Sequence, residues 1–534
     1  MKALSAVIPS LLIGCASAIA MNPYLPLWEH IPDGEPYVFD DPDNPGKKRV
    51  YVYGSHDMLK TAYCGTDLVV WSAPVDSLEN WRYDGVILKV ARDANGEPLH
   101  PDGRGDVLYA PDVTTVRLPN GKTEYYLYPN DQEGGRNGLV AMSDRPDGPF
   151  RVINWNPANP RETVGPLAFD PAVFTDDDGR VYAYWGFGVS KGAELDPATM
   201  ATLKPGTEIV ENLVSGCTQD GEARFYEASS IRKIDGKYVL IFSRLTAPGD
   251  FGMDASNYTL AYAYSDNPLG PFTYGGTIID GRGRDTDARG KAFATATPNG
   301  NTHGSIVEIN GQWYVFFHRQ TGRDEYARQA MVAPIEVKVT PGPGGKVEIS
   351  EAEYTSEGFE TNGLDPSRTY PAAIASHFTG PTPAYQTYPT MNYSGPYFEP
   401  TYVANHAVAD PYSFEYVNPV VNNTDGSILG YKYFNFDSLH GAKDVSLVLD
   451  FLPEMRDGKI RVYTQAPWKG NPKAAGELDF SKANLKEGER TQVEIPLKGI
   501  GSLSGKHPLY LAFSSPAKGK SLCTLHLLRF AIKQ

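Results

Sequence analysis

Five stretches of the chain repeat one short plan, in which a carboxylate or histidine precedes an apolar strand, a glycine-centred turn and a second strand dense in Tyr and Phe. The copies start near Pro32, Ala110, Phe169, Tyr226 and Thr302. A strand pair of this size buries its faces only against neighbouring copies, and such copies pack side by side around an axis. The sequence therefore predicts a five-bladed β-propeller.

Each copy carries a polar residue at a matching position, where its first strand begins. These residues are Asp33, Asp112, Asp170, Glu227 and His303. At the start of the first strands their side chains would converge on the axis of a propeller. Their identities differ from copy to copy, where folding alone would tolerate one residue type, and this indicates an active site.

A second part of the chain follows a Pro/Gly cluster at 341–345 and contains no copy of the plan. It has alternating stretches such as SILGYKYFNF, VSLVLDFL and HPLYLAF, which are typical of an antiparallel β-sandwich. We therefore predict an all-β chain with a propeller catalytic domain at 21–345 and a linker and jelly-roll-like sandwich at 346–534. The Pro-, Tyr- and Thr-rich stretch 355–412 is expected to wrap irregularly around the junction.

The first twenty residues combine Lys2, an apolar middle and small residues, which is the pattern of a signal peptide. No later apolar run is long enough to span a membrane. We expect a secreted, extracellular protein, and sequons at Asn257, Asn392 and Asn422 fit a glycoprotein. Of four cysteines, Cys15 would leave with the signal peptide, and the remaining three permit one disulfide at most.

The net charge of −15 disfavours nucleic acid as a partner, because nucleic acid binders display a basic patch. Neutral substrates fit this charge better. The chain has 33 Tyr, 22 Phe and 7 Trp, an aromatic content suited to β-sheets and also to stacking on sugar faces. Core packing is the default interpretation for any one of these aromatic residues.

Three motifs stand in order along the chain, namely IPDGEPYVF, FDPAVF and YEASSIRKIDGKYVLIFS. Together they resemble glycoside hydrolase family 43 over about residues 22 to 340. The resemblance implies a five-bladed propeller that hydrolyses arabinofuranosyl or xylosyl bonds with inversion. The second part resembles carbohydrate-binding module family 6, chiefly through GYKYFNF, HPLYLAF and LHLLRFAI. The first motif departs from the commoner ADPS-type form of the family.

The resemblance makes Asp33 the general base, Glu227 the general acid and Asp170 the residue that orients the acid and modulates its pKa. The chemistry agrees, because inversion needs two carboxyl groups about 6.5–9.5 Å apart with a water molecule between them. A third carboxylate nearby would raise the pKa of the acid by repulsion. Turn formation is the alternative role for Asp33 before Gly34 and for Asp170 before Pro171.

Further candidate residues have weaker signals. The resemblance gives Arg319 a sugar-binding role and places a calcium ion or a water cluster on the axis near His303, for which a hydrogen-bonded core histidine is the alternative. Asp112 is expected to contact substrate or to hold structure. Trp185, with Phe187, is a candidate apolar platform. Glu35 and Asp57 are further pocket candidates, with exposed turns as the alternative.

We predict a secreted inverting exo-glycosidase that needs no cofactor and releases terminal α-L-arabinofuranosyl residues from arabinose- or xylose-containing polysaccharide. A β-D-xylosidase or bifunctional enzyme is the alternative, followed by a galactofuranosidase. A glycan-binding propeller without catalysis is a different class of answer. A retaining enzyme of the invertase type is disfavoured because its N-D-P-N-G motif is missing.

Overall fold

The computed structural model describes residues 20–214, 223–381, 395–404 and 406–533. These residues form antiparallel sheets, and their helical content is limited to six short 3-10 turns. The turns are Asp250–Gly252, Ala372–Ile374, Phe414–Tyr416, Phe436–Leu439, Phe480–Lys482 and Ile500–Ser502. The all-β prediction is confirmed. Within the described ranges, no helix has the length and apolar character needed to cross a bilayer.

Five sheets follow one another along the first two thirds of the chain, each with its strands in chain order. Sheet 1 comprises Glu35–Asp40, Lys48–Tyr53, Leu68–Pro74 and Arg82–Leu88; sheet 2 comprises Leu108–Arg117, Thr123–Asp131, Ala141–Ser143 and Arg151–Val152; sheet 3 comprises Ala172–Thr175, Val181–Trp185, Lys191–Leu195 and Val210–Glu211. Sheet 4 comprises Phe225–Ile234, Lys237–Arg244, Thr259–Ser265 and Thr273–Asp280; sheet 5 comprises Ser305–Ile309, Gln312–Arg319 and Gln329–Ile335.

The glycine-centred turns of the repeats close two-residue hairpins. In sheet 4, Asp235 and Gly236 have φ values of 47° and 81° between the paired residues Ile234 and Lys237. In sheet 5, Asn310 and Gly311 have φ values of 51° and 85°. Positive φ at both central residues defines the turn whose twist matches that of paired strands, and Asn-Gly and Asp-Gly favour it.

The first strands of the five sheets are innermost, and each contacts the first strand of the next sheet. The contacts also join sheet 5 to sheet 1, where Gly34 and Gly304 form a parallel bridge. A Cβ atom at Gly304 would overlap the Phe316 carbonyl oxygen, so this close approach requires glycine. The second strands, such as Val181–Trp185 and Lys237–Arg244, are buried throughout because neighbouring sheets cover both of their faces.

The N-terminal segment reinforces sheet 5, which has only three strands. The Asn22 side chain donates to the Val332 carbonyl at 2.7 Å and accepts from the Val332 amide at 3.0 Å. The Tyr24 amide donates to the Ala330 carbonyl. The start of the described chain therefore lies along the outer strand of the last sheet.

Two larger sheets form the C-terminal part. Sheet 6 has the order Tyr397–Phe398, Val420–Val421, Cys523–Ile532, Val445–Pro453 and Thr491–Leu497, with Thr369–Pro371 also paired to Cys523–Ile532; sheet 7 has the order His377–Thr379, Ile428–Asn435, Lys506–Ser514, Lys459–Tyr463 and Gly476–Asp479. Three two-stranded sheets complete the fold, formed by Trp155–Asn156 with Asn159–Thr163, Arg284–Thr286 with Ala292–Ala294, and Val337–Val339 with Val347–Ile349. The boundary predicted at residue 345 falls inside the last of these hairpins.

One continuous hydrophobic cluster joins the two parts of the chain. It includes Val239 of sheet 4, Phe317 of sheet 5, Phe378 and Phe434 of sheet 7, and Leu449 of sheet 6. Side chains of sheets 6 and 7 therefore share a core with each other and with the first part. The C-terminal part is packed onto sheets 4 and 5 by apolar burial, the dominant favourable term in folding.

Residues 395–404 and 406–418 run back across the first part, and we call them the strap. The strap contacts the N-terminal segment through several hydrogen bonds. Pro411 accepts from Trp28 Nε1, the Thr401 carbonyl lies 3.2 Å from His30 Nε2, and Asn418 donates to the Leu27 carbonyl. The irregular wrapping expected for 355–412 fits this course. Residues 382–394 and 405 lie outside the described ranges.

Arg319 lies at the junction of the two parts and not among the predicted catalytic carboxylates. Its guanidinium donates to Gln329 Oε1 and to the carbonyls of Ala373 and Ala375, and it stacks on Phe398. Burial lowers the pKa of Arg319 to about 10. The structure therefore gives this side chain a junction contact in place of the predicted sugar contact.

We expect Arg319→Leu to lower the free energy of unfolding by at least about 2 kcal/mol, because three buried acceptors lose their donor. The KM of the folded variant should be unchanged. Urea titration and steady-state kinetics measure the two quantities, with the exposed Arg368→Leu as the control. A raised KM at unchanged stability would return Arg319 to the sugar site.

Candidate active site

Asp33 is held at the entrance to the first strand of sheet 1 by three side chains. Its carboxylate accepts from Ser55 Oγ at 2.6 Å and from Arg328 Nη1 at 3.1 Å, and His318 Nδ1 lies 3.4 Å away. Burial opposes the charge, but Arg328, His318 and His303 lower the pKa of Asp33 below its ordinary value. Asp33 is therefore a carboxylate at working pH.

His318 serves as a neutral acceptor beside this carboxylate. Burial lowers the pKa of His318 to about 4, although the Asp33 charge raises it. The Asp33 amide donates to Nδ1 at 3.2 Å, so the ring proton resides on Nε2, which faces the Asn301 carbonyl at 2.9 Å. His318 thus fixes the backbone of Asp33.

Arg328 links Asp33 to a second buried carboxylate, that of Asp57. Its Nε and Nη2 donate to the two oxygens of Asp57, both at 2.9 Å, and its backbone amide donates to Asp57 Oδ2 at 3.0 Å. The bidentate pair leaves Nη1 aimed at Asp33. The guanidinium also lies over the Tyr63 ring. Asp57 is fully buried, so its alternative interpretation as an exposed turn residue is wrong.

Glu227 lies in the first strand of sheet 4, between two register shifts. Burial raises its pKa well above the ordinary value, and the nearby Asp170 and Asp33 carboxylates raise it further, whereas Arg328 lowers it. Asp170 accepts from the Ala228 amide at 3.2 Å and from Asn130 Nδ2 at 2.9 Å. Asp170 therefore holds the backbone beside Glu227 as well as repelling its charge.

Asp170 and Glu227 share a proton at pH values where an isolated glutamate would have lost it. Burial raises the pKa of both groups, and as anions they repel each other. The two hydrogen bonds to Asp170 and the nearby His303 favour its charged form. The proton is therefore held on Glu227.

Strained backbone marks the entrances of the innermost strands. Asp33, Ala110, Phe169, Asp170 and Ala228 have φ values of 61°, 30°, 35°, 48° and 67°. Positive φ is uncommon for residues other than glycine and persists where the surroundings enforce it, often at functional sites. Here it occurs at Asp33 and Asp170 themselves and at Ala228, the residue that follows Glu227.

Asp112 lies beneath these carboxylates, in a closed polar network. It accepts from the Tyr37 hydroxyl at 2.6 Å and from the Val173 amide at 2.7 Å. Arg232 stacks on Tyr37 and donates to Glu35 Oε2 at 2.9 Å. Burial and the Glu35 charge raise the pKa of Asp112 to about 7. Of its two predicted roles, the structure favours hydrogen bonding within the fold.

His303 faces the axis between two carboxylates. Its Nδ1 lies 3.8 Å from Asp170 Oδ2, and its Nε2 lies 3.9 Å from Glu35 Oε1. Among the described residues, neither His303 Nδ1 nor Glu35 Oε1 has a hydrogen-bond partner, although both are buried. Unpaired buried atoms of this kind suit ordered water or a hydrated cation.

The predicted platform divides into a buried and an exposed half. Trp185 is buried in the core between sheets, so it does not reach a ligand. Phe187 is 55% exposed and contacts Phe169 and Tyr226 with ring centroids 4.9 and 5.0 Å apart. Phe169 directly precedes Asp170 in the chain, and Tyr226 directly precedes Glu227. Phe187 is therefore an exposed aromatic ring close to both carboxyl groups.

The sequence placed Asp33, Asp170, Glu227 and His303 together, and the structure brings them together. Sequence reasoning missed Ser55, Asn130, His318 and Arg328. Neighbouring residues of a strand face opposite sides of the sheet. Because the sequence assigns Arg319 to the pocket, its neighbour His318 is expected to face away from the pocket. Arg328 stands just before the last strand of sheet 5 and has no motif of its own.

Glycoside hydrolases use a pair of carboxyl groups, of which one is charged and the other protonated. Residues 45–339 match the family described as Glycosyl hydrolases family 43. The chain belongs to this family, a β-propeller family of glycoside hydrolases. Asp170 and Glu227 lie within the match, and Asp33 lies before it.

Full-length similarity extends beyond the propeller part. The chain is 33% identical over 531 residues to a xylosidase/arabinosidase of Thermoclostridium stercorarium, covering 94% of this chain and 98% of that protein. It is 28% identical over 305 residues to an arabinoxylan arabinofuranohydrolase of Paenibacillus polymyxa, covering 54% and 44%. A solved family 43 arabinoxylan arabinofuranohydrolase from Bacillus subtilis, in complex with cellotetraose, aligns over 98% of this chain and 99% of its own with 20% identity and a TM-score of 0.46.

Replacing Arg328 by Leu should cost about 3–5 kcal/mol of unfolding free energy, since it leaves Asp57 and Asp33 as uncompensated buried charges. It should also raise the pKa of Asp33 and move the acidic limb of kcat/KM to higher pH. Arg456→Leu, at an exposed ion pair, should change stability by less than about 1 kcal/mol. Urea titration and pH–rate profiles test this, and an unmoved acidic limb in the folded variant would contradict it.

Proposed function

We propose that the chain is an inverting exo-glycosidase with Asp33 as general base and Glu227 as general acid. The observation that carries the proposal is that the pKa values of the two groups are shifted in opposite directions. Arg328 lowers the pKa of Asp33 and keeps it charged, whereas burial and Asp170 raise the pKa of Glu227 and keep it protonated. Paired carboxyl groups with separated pKa values supply the base and the acid of glycoside hydrolysis. Water activated by Asp33 attacks the anomeric carbon, and Glu227 gives its proton to the leaving oxygen.

The proposed inversion rests on where the two groups are held. Asp33 precedes sheet 1 and Glu227 belongs to sheet 4, so they approach a bound sugar from different sectors of the ring. In a retaining enzyme, the second carboxylate itself attacks and lies close to the acid. Asp33 is occupied by Ser55 and Arg328, which suits a carboxylate that orients a water molecule.

For the substrate we propose terminal α-L-arabinofuranosyl residues of arabinoxylan-type polysaccharide. The relatives' names support this choice, since they include xylosidase/arabinosidase and arabinoxylan arabinofuranohydrolase. The exposed Phe187 ring would stack on the sugar that follows the cleaved bond. A β-D-xylosidase or a bifunctional enzyme is the second candidate, because the names cover both sugars.

The finer architecture is part of the same proposal. We infer that sheets 1 to 5 are the blades of one five-bladed propeller and that sheets 6 and 7 form a sandwich. The contacts between successive innermost strands support the first inference, and the shared cluster of sheets 6 and 7 supports the second. Hydrated calcium beside His303, secretion and glycosylation at Asn257 and Asn422 stay predictions; residues 1–19 and Asn392 lie outside the described ranges.

The roles of the two carboxyl groups predict different responses to the leaving group. Asp33→Asn should reduce kcat/KM by about 10²–10⁴-fold on both p-nitrophenyl α-L-arabinofuranoside and arabinoxylan oligosaccharide. Glu227→Gln should cost as much on the oligosaccharide but clearly less on the nitrophenyl substrate, because nitrophenolate leaves without a proton. Asp178→Asn and Glu308→Gln, both exposed, are the matched controls.

Several outcomes would overturn these assignments. Equal losses for both substrates in Glu227→Gln would remove its role as acid. A first-formed product of retained configuration, seen by NMR, would exclude inversion. Preference for the β-D-xylopyranoside would favour the second candidate. Polysaccharide binding without hydrolysis of either glycoside would indicate a glycan-binding protein.

The pKa shifts also predict the pH profile. Asp33 must be charged and its pKa is lowered, so the acidic limb of kcat/KM should lie below about pH 4, the ordinary range of Asp. Glu227 must be protonated and its pKa is raised, so the alkaline limb should lie well above the ordinary range of Glu. Asp170→Asn removes a negative neighbour and should move the alkaline limb to lower pH. An alkaline limb that stays in place would show that Asp170 acts only through the Ala228 amide.

A further inference from the structure

A separate cluster of titratable side chains lies around Glu29, next to His30. Glu29 comes from the N-terminal segment, His56 from the loop after the second strand of sheet 1, and His406 from the strap. Their three ligand-type atoms all lie within 4.8 Å of one another. The catalytic assignment does not use any of these residues.

The ring nitrogens converge on one carboxylate. His56 Nε2 lies 3.4 Å from Glu29 Oε1, and His406 Nδ1 lies 3.0 Å from Glu29 Oε2. Zinc bonds of about 2.0–2.1 Å in tetrahedral geometry place neighbouring ligand atoms roughly 3.3 Å apart. The two nitrogen-to-oxygen separations are close to this spacing, and at 3.0 Å His406 Nδ1 is also within hydrogen-bond distance of Glu29 Oε2.

The orientation of His56 is set from behind by a second carboxylate. Its Nδ1 lies 2.7 Å from Asp67 Oδ1, which places a ring proton on Nδ1 and turns Nε2 toward Glu29. Nε2 is buried and makes no hydrogen bond within the described residues, despite its distance from Glu29. A carboxylate behind the ring and an unpaired nitrogen in front form the arrangement by which proteins hold metal-binding histidines.

Glu29 is fixed in the same way. Its Oε2 accepts from Trp71 Nε1 at 2.7 Å and its Oε1 from the His30 amide at 3.1 Å. The ion pairs of Glu29 within the described residues are with the two histidines, not with Lys or Arg. Two histidine nitrogens facing one buried carboxylate form a ligand set of the kind that Zn²⁺ takes in proteins.

Another group of possible metal ligands, formed by His100, Asp106 and Glu133, differs from the Glu29 cluster, and we call it the His100 cluster. There Arg136 donates to Asp106 and Arg104 donates to both oxygens of Glu133. These guanidinium groups already neutralise the carboxylates. Among the described residues, Glu29 forms its ion pairs with His56 and His406 and not with a guanidinium group.

A cavity and several aromatic side chains lie next to His406. His406 lines a cavity of about 330 Å³ together with Trp71, Trp81 and Tyr83, and the exposed Arg82 marks its opening to solvent. The Trp28 ring packs edge-on against His406 with centroids 5.3 Å apart. Of the three proposed ligands, His406 is the one that lines this cavity.

We propose that Glu29, His56 and His406 bind one Zn²⁺ ion, with Asp67 as the second carboxylate behind His56. The ion would join the N-terminal segment, sheet 1 and the strap, three parts of the chain that meet only in the folded protein. Because the ligands are far apart in sequence, the ion stabilises the folded state by its own binding free energy. It also fixes His56, which lies between Ser55 and Asp57, the supports of the base and of Arg328.

The test uses the full chain after removal of metal with a chelator. Equilibrium dialysis against Zn²⁺ with elemental analysis should give one ion per chain, and Co²⁺ should give the intense visible absorption of a tetrahedral site. His406→Asn and Glu29→Gln should lose this equivalent. Asp67→Asn should bind about 10–100-fold more weakly, the usual effect of removing a carboxylate behind a metal-binding histidine.

The controls are His440→Asn, at an exposed histidine, and His100→Asn, in the His100 cluster. Both variants should still bind one zinc ion per chain. Absence of stoichiometric zinc in the wild type, or an octahedral cobalt spectrum, would overturn the proposal. Full retention by a correctly folded His406→Asn would do so as well. If circular dichroism shows that a variant is unfolded, the cobalt spectrum of the wild type decides alone.

Discussion

One buried guanidinium, that of Arg328, lies between the carboxylates of Asp57 and Asp33, and much of the site depends on it. Removing charges from water is costly, so each partner is retained only because the other is present. The same group lowers the pKa of Asp33 and ties the last strand of sheet 5 to sheet 1. A single ion network thus sets both the chemistry of the base and the closure of the ring.

The pKa of Glu227, the proposed acid, is shifted in the opposite direction, because burial and two neighbouring carboxylates raise it more than Arg328 lowers it. Asp170 influences it twice, through its charge and through its hydrogen bond to the Ala228 amide. Positive φ at Asp170 and Ala228 shows that the backbone itself is held in an uncommon conformation here. Packing of the surrounding sheets maintains this strain.

The repeats made the sheets, their hairpins and the gathering of Asp33, Asp170 and Glu227 predictable, because each is written locally in strand pattern and turn chemistry. Arg319 and Arg328 could not be told apart in this way. Both flank the last sheet, and only tertiary packing decides that one faces Ala373 and Ala375 and the other faces Asp33. Asp112 shared the register of the catalytic residues, but Tyr37 lies over it and closes it off.

Asp33 and the residues that hold it come from opposite ends of the propeller part of the chain. Asp33 stands in the first repeat, whereas His318 and Arg328 follow it by 285 and 295 positions. During synthesis these partners leave the ribosome long after Asp33, and long-range contacts of this kind form slowly. A nascent chain therefore carries Asp33 and Glu227 before the network that lowers the pKa of Asp33 exists, and the proposed catalytic pair is complete only when the last sheet has joined the first.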